Sequence, residues 1–413
     1  MNTQLYFRLR MYFKKYPIIA IMVPLVFCGV FLITGCASVK RNPLPEDRFS
    51  EAEVLNTKGI RTFGGKLDAR FQEDLALSAK QQLDRLRKEP GSRIDNSALL
   101  LSGGGAYGSF SAGFLNGWSS SGKRPEFKLV TGISTGALIA PLAFVGTEYD
   151  GVLKKMYTGI STQDVAKIRG ISTLWNDSLL DPSPLMGILE TFINEEFIDK
   201  VAQAHNDGRR LYIGTTNLDA QRLVIWNMGA LANIDDPRTP ELFRKIMLAS
   251  SSIPIVFPPV MIEVKSDGVE YDEMHVDGGV ITQVFFHLAI VDIEEIKKEF
   301  VDGSIPMERG RVFIIRNGTI LPIAEQIDRN LMNIAERSMS TMTKASAIND
   351  FRRIYMLSKR ADLEFNYVGI PEDFEFTATE AFDRLEMIDL YYLGYKIGSS
   401  SNKWKHNVPG VRQ

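Results

Sequence analysis

Cysteine is almost missing from this sequence: Cys28 and Cys36 are the only two in 413 residues. Two thiols are too few for a disulfide framework or a cysteine-based zinc site. Histidine is scarce as well, so chemistry that needs an imidazole must draw on His205, His275, His287 or His406. A surplus of charge is lacking too, with 48 Lys and Arg against 50 Asp and Glu and a formal net charge of −2. A surface made for nucleic acid carries a basic excess, so nucleic acid is excluded as the main partner. Internal repeats are also lacking. What is present is ordinary globular material, 45% hydrophobic and 24% charged. Its length suits about two to three domains, or one large α/β domain with extensions.

Both cysteines lie near the start. Arg8, Arg10, Lys14 and Lys15 precede an uncharged apolar run over residues 18–33, the layout of a secretory signal. As a helix that run rises about 24 Å, short of the roughly 30 Å hydrocarbon core of a bilayer. It closes on Ile33-Thr34-Gly35-Cys36, which resembles the cleavage box of bacterial lipoproteins. The resemblance implies a signal peptide over 1–35, lipidation of Cys36, and membrane attachment through its acyl chains. Ala37 in place of Asp points to the outer membrane of the cell envelope, facing the periplasm. An uncleaved single-pass anchor in the inner membrane is the alternative. Residues 36–65 are polar, contain Pro43, Pro45, Gly64 and Gly65, and read as a tether.

A helical extension over 66–97 follows, its helix expected at 67–88 and stopped by Pro90-Gly91. Residues 97–102 are too short an apolar run for a helix and read as a buried strand. The spacing then predicts a helix over 106–119 with Phe110, Phe114 and Trp118 in the core, a strand over 127–131, and a helix from Ser134. Strands at 210–217 and 223–227 flank a turn at Asp219-Ala220-Gln221. A strand at 312–315 and helices over 325–359 and 382–397 complete the pattern. Alternating strands and helices imply a mainly parallel sheet covered by helices.

Three motifs carry chemistry. Gly103-Gly104-Gly105-Ala106-Tyr107-Gly108 lies between a strand and a helix. Bare N–H groups at such a turn favour negative charge, either a pyrophosphate or the oxyanion of a tetrahedral intermediate. A dinucleotide fold needs an acidic residue at the end of the next strand. Here that strand runs instead into Gly132-Ile133-Ser134-Thr135-Gly136, a G-x-S-x-G turn that holds a serine at the head of a helix. Pro141 is expected to bend that helix. The third motif, His275-Val276-Asp277-Gly278-Gly279, sets a carboxylate in a glycine-rich bend. Against a serine hydroxyl, a partly buried carboxylate can serve as the base. His275 shares a strand face with Asp277 and is positioned to tune it.

GGGAYG, GISTG and HVDGG, in that order, resemble the patatin-like phospholipase family. Residues 211–217, 226–229 and 249–260 look like that family's intervening blocks, so the likeness spans about 98–289. It implies a three-layer α/β/α sandwich with a mainly parallel sheet, a catalytic domain over 98–290, Ser134 as nucleophile and Asp277 as general base. Gly103, Gly104 and Gly105 would supply oxyanion-hole N–H groups, with Gly108, Gly132, Gly136, Gly278 and Gly279 as motif glycines. The implied substrate is a phospholipid or another acyl ester, with no cofactor and no metal. Gly279 stands where many members have Ala. Tyr107 stands where the family's loop often has Arg, and a phenol cannot supply a guanidinium's charged fork. Residues 291–413 are expected to pack on the same sheet as a strand/helix extension. Two other readings remain open at this point: a Ser-Asp-His triad through His287 or His406, and a lipid-binding lipoprotein that keeps the pocket without turnover.

Overall fold

The computed structural model of the chain describes residues 41–88, 96–168, 178–286 and 309–408. The expected signal peptide and Cys36 lie outside them. In chain order the strands of the main sheet are β1 (Arg61–Phe63), β2 (Ser97–Leu101), β3 (Leu129–Ile133), β4 (Arg210–Asn217), β5 (Arg222–Asn227), β6 (Val260–Ser266), β7 (Val269–Asp277), β8 (Arg311–Arg316) and β9 (Glu364–Gly369). Their spatial order is β1-β5-β4-β3-β2-β8-β9, with β7 joined to β4 and β6 to β7. The five central neighbours β4, β3, β2, β8 and β9 run parallel. The pairs at the β4 end (β4 with β5, β5 with β1, β4 with β7, β7 with β6) are antiparallel.

Alternation along β2 sends Leu99 and Leu101 into one core and Ala98 and Leu100 into another, as a period of two requires of a strand covered on both faces. The helices that matter to the site are α1 (Ala69–Lys88), α2 (Gly108–Ser120), α3 (Thr135–Val145), α4 (Thr239–Ser250), α5 (Leu331–Arg360) and α6 (Arg384–Ser399). Side chains of α2, α3, α4 and α6 fill the first core, while Phe71 of α1 and Phe351 and Ile354 of α5 fill the second. The chain is therefore the expected α/β/α sandwich with a mainly parallel sheet. Within it, α3 runs through Pro141 from Thr135 to Val145.

Two expectations are corrected. Within the expected tether over 36–65, the described residues 42–65 are docked chain. Leu44, Val54 and Ile60 are buried, Glu53 bridges Lys265, and β1 pairs along β5. The polar composition hid this because the segment is held by backbone pairing and by Arg61, whose guanidinium clasps the buried Glu273 of β7 through two hydrogen bonds. The second correction concerns α5, which starts at Leu331 rather than near 325, because the Asn330 side chain accepts from Asn333 N at 2.9 Å and caps the helix there.

Among the described residues after 290, β8 and β9 belong to the sheet. β8 lies beside β2, and α6 presses on α2 so closely that a Cβ at Gly113, Gly117, Gly394 or Gly398 would strike a carbonyl of the facing helix. On the opposite face, Asp74 of α1 ties that helix to the sheet. It accepts from Arg210 Nε at 2.7 Å and from Asn227 Nδ2 at 3.0 Å, and Arg210 is fully buried. Removing the carboxylate strands a buried cation. Asp74→Ala is expected to lower unfolding stability by about 3–5 kcal/mol at pH 7. A denaturant titration showing a loss within experimental error would show that the ion pair does not hold α1 in place.

Candidate active site

Ser134 makes the turn from β3 into α3 alone, at φ 54° and ψ −127°. A serine in that region carries strain of about 1–3 kcal/mol, and the neighbouring backbone holds it there. Ser134 N donates to Ser250 Oγ at 3.0 Å, and Ser134 O accepts from Ser251 Oγ at 3.2 Å. The flanking glycines are steric necessities: a Cβ at Gly132 would strike the Gly136 carbonyl, and one at Gly136 the Leu101 carbonyl.

Asp277 reaches the serine through sheet register. Ile133, the last residue of β3, pairs with Gly214 of β4, and the next residue of β4, Thr215, pairs with Asp277 of β7. One edge of β4 thus passes from β3 to β7 where β3 ends, which sets Asp277 beside Ser134. The Ser134 hydroxyl lies close enough to draw the Asp277 carboxyl down, and both residues are buried. Gly279 N donates to Asp277 Oδ1 at 2.6 Å, fixing the carboxylate's orientation. Gly278 must lack a side chain because its Cβ would meet Gly214 O at 2.5 Å. Burial pushes the Asp277 carboxyl up to about 7, against the opposing pull of its bonds from Ser134 and Gly279.

The glycine loop closes the other side. Gly103 N already donates to Gln283 O at 3.1 Å, so its N–H is spent and Gly103 leaves the expected oxyanion set. Gly104, at φ 155°, lies against the Asn317 backbone, where any Cβ would collide. Gly105 has φ 56° and open space beside it. Neither the Gly104 nor the Gly105 N–H donates to a described residue. Gly108 lets α2 approach Thr135 of α3. Tyr107 packs its ring on Phe376 at 5.0 Å and forms cavity wall.

His275 does not tune Asp277. Its Nδ1 is 2.9 Å from Thr215 Oγ1 and its Nε2 is 3.1 Å from Glu273 Oε2, and burial holds its imidazole below the usual range. Glu273 is held down to about 2: burial alone would raise it, but Arg61 and the bond from His275 outweigh that. His205 is buried beside Asp74 and Arg210. His406 is exposed and sits 3.3 Å from Phe365 O, so the structure separates it from Ser134. His287 lies outside the described residues.

Ser134, Asp277 and the glycine loop open on a cavity of about 930 Å³, within the range of small-molecule sites. The sequence reading missed Gln283 and Arg316, which line it, and Asn317, which lies behind the glycine loop. Gln283 Nε2 bonds Gly279 O at 2.7 Å, and Asn317 Nδ2 bonds Ser102 O at 2.8 Å. Arg316-Asn317-Gly318 directly follows a predicted strand, at the C-terminal edge where α/β sheets gather their sites, and that was the available signal.

Residues 99–290 match the family model for patatin-like phospholipase. Over these residues the chain is similar to a patatin-like phospholipase domain. Over 181 residues, 43% of this chain, it is 29% identical to an uncharacterized protein of Acanthamoeba polyphaga mimivirus, and it spans 58% of that protein's length. Among solved structures, the crystal structure of VipD from Legionella pneumophila aligns over 74% of this chain and 66% of that one, at 13% identity and a TM-score of 0.37. The family that this model describes is one of phospholipases.

The raised carboxyl of Asp277 has a stability consequence. An ordinary Asp titrates near 3.9, so between about pH 4 and pH 7 the folded state holds a proton that the unfolded chain has lost, and stability falls as pH rises through that window. Asp277→Asn has no such group. It is expected to be more stable than the parent at pH 8, by on the order of 3 kcal/mol, with the gap closing by pH 4. Unfolding curves at the two pH values check this, and equal gaps at both would contradict it.

Proposed function

We propose that the protein is a serine acyl hydrolase of phospholipid or lysophospholipid type, working through a Ser134–Asp277 dyad. The observation that carries this reading is the buried, Gly279-oriented carboxylate set beside the serine of a strained elbow, with no described histidine beside it. Ser134 Oγ attacks the ester carbonyl and its proton passes to Asp277. The negative charge that develops on the carbonyl oxygen is met by the N–H groups of Gly104 and Gly105 at the head of α2. Collapse releases the alcohol, which takes the proton from Asp277, and leaves an acyl-enzyme. Water then attacks, with Asp277 again accepting and returning the proton. A carboxyl near 7 suits both halves, since it takes and gives a proton close to the working pH. Ile253, Pro254, Val280, Met339 and Met342 lend the cavity apolar wall for the acyl chain.

Attachment to a membrane through acylated Cys36 belongs to the same reading. It would hold the cavity at the surface where lipid substrates are concentrated. Outer-membrane placement facing the periplasm is part of the proposal.

Ser134→Ala is expected to abolish labelling by a fluorophosphonate and to reduce hydrolysis of lysophosphatidylcholine at least about 1000-fold, and Asp277→Asn to reduce it about 100- to 10,000-fold. For the parent, kcat/KM should rise with pH through a single limb centred near 7, as Asp277 loses its proton. Labelling that survives in Ser134→Ala, or a flat profile between pH 5 and pH 8, would sink the dyad. For the anchor, the full chain expressed in a bacterial host should fractionate with membranes and resist extraction by salt. Cys36→Ser should leave the apolar leader uncleaved, and a shift in mass equal to the lost leader in that variant would argue against lipoprotein processing.

A further inference from the structure

Among the described residues, Arg316 is a cation in the wall of the active cavity with no carboxylate in an ion pair with it. It ends β8, and its side chain is only 6% exposed. Nη1 donates to Gly103 O at 3.1 Å and Ser102 Oγ at 3.2 Å, with Gln283 Oε1 at 3.4 Å. These are neutral acceptors. Nε is buried and has no partner, and among the described residues no carboxylate forms an ion pair with this guanidinium. Asp350 is the acidic side chain that it senses, but one Asp350 oxygen is engaged by Gln283 N at 2.7 Å and Val284 N at 3.4 Å, and the other by Arg353. Lys344 adds a second positive charge that feels the same guanidinium, its ammonium bonded to Thr319 Oγ1 and Leu321 O.

A desolvated, unpaired guanidinium is costly to bury, and the cost is offset when a ligand supplies the anion. Burial already depresses the Arg316 guanidinium to about 10, which leaves it charged at neutral pH. The carboxylates in the same cavity form no ion pair with it: Glu386 is taken up by Thr377 N and Ala378 N, Asp383 by Thr379 N, Leu385 N and Glu386 N, Asp277 accepts from Gly279 N, and Glu336 and Glu380 are exposed. The location is informative. Arg316 bonds the carbonyl of Gly103, the residue before the two N–H groups that face the reacting carbonyl, and a Cβ on Gly103 would sit 3.2 Å from Ser134 Cβ.

We propose that Arg316 is the anion-binding group of this cavity and receives the phosphodiester of a phospholipid whose acyl ester is presented to Ser134. Resting on the dyad reading, the assignment names the residue that would hold the phosphate of that substrate close to the scissile bond. It also answers the substitution at Tyr107: the fixed cation of the glycine loop is supplied from a neighbouring strand.

The test compares lysophosphatidylcholine with a monoacylglycerol of the same acyl chain, in the parent, Arg316→Gln and Arg316→Lys. The ratio of kcat/KM for the phospholipid to that for the neutral ester should fall about 10- to 100-fold in Arg316→Gln, chiefly through KM. Arg316→Lys should recover part of the loss. A ratio unchanged within about threefold would overturn the proposal and leave Arg316 as a brace for Gly103. If Arg316→Gln fails to fold, Arg316→Lys carries the comparison, with a smaller fall in the same ratio expected and no fall overturning the proposal. If the parent hydrolyses neither ester, the dyad reading fails, and calorimetry with hexadecylphosphocholine tests the anion site separately. Binding to the parent should be at least about tenfold tighter than to either variant, and equal affinities would overturn it. Palmitate binding more tightly than hexadecylphosphocholine, with the same dependence on Arg316, would assign the cation to the released fatty acid and overturn the phosphodiester.

Discussion

Backbone meets backbone at the end of β3, and the rest of the site depends on that approach. A Cβ at Gly132, Gly136 or Gly278 would collide with a carbonyl of a neighbouring segment. Only with all three bare can β3, the start of α3 and the end of β7 converge. That convergence forces Ser134 to a positive φ and buries the Asp277 carboxylate. The strain at the serine and the desolvation of the acid are thus two results of one steric arrangement. Each destabilises the fold locally, and each suits a nucleophile and its base.

The costs are borne by the frame around the elbow. Register on β4 is fixed on three sides, by β3, β5 and β7, so Asp277 cannot slip relative to Ser134 without moving every cross-strand pair. Ion pairs lock the layers that flank this strand: Asp74 with Arg210 on the α1 side, and Glu273 with Arg61 along β7, where His275 adds a hydrogen bond. Such pairs contribute little as net stabilisers but make the wrong arrangement costly. The serines closing α4 add the last restraint, holding both the N–H and the carbonyl of Ser134.

The elbow and its acid were legible in the sequence because steric demand leaves a trace: glycine is required at fixed offsets from a serine and an aspartate. The central strands were legible because a strand buried on both faces needs an unbroken apolar run. What could not be read is whatever depends on partners distant in the chain. Arg316 and Asn317 meet Ser102 and Gly103 only through the pairing of β8 with β2. β1 is three residues held by Arg61 and a few buried side chains, too short for any period to show. His275 shares strand parity with Asp277, which suggested a joint role. Its imidazole is instead engaged by Thr215 and Glu273, a pairing that residue spacing does not encode.

The position of β8 has a consequence for the order of events in the life of the chain. Its neighbour β2 is made more than two hundred residues earlier, and the loop between them must close before the sheet gains its central contact. Until residue 316 has emerged, the glycine loop lacks the strand, the Asn317 backbone and the guanidinium that shape it. A growing or unfinished chain therefore holds the serine, the aspartate and all the motif glycines yet lacks a finished cavity. Under the proposed function, competence to hydrolyse an acyl ester arrives only with the last quarter of synthesis.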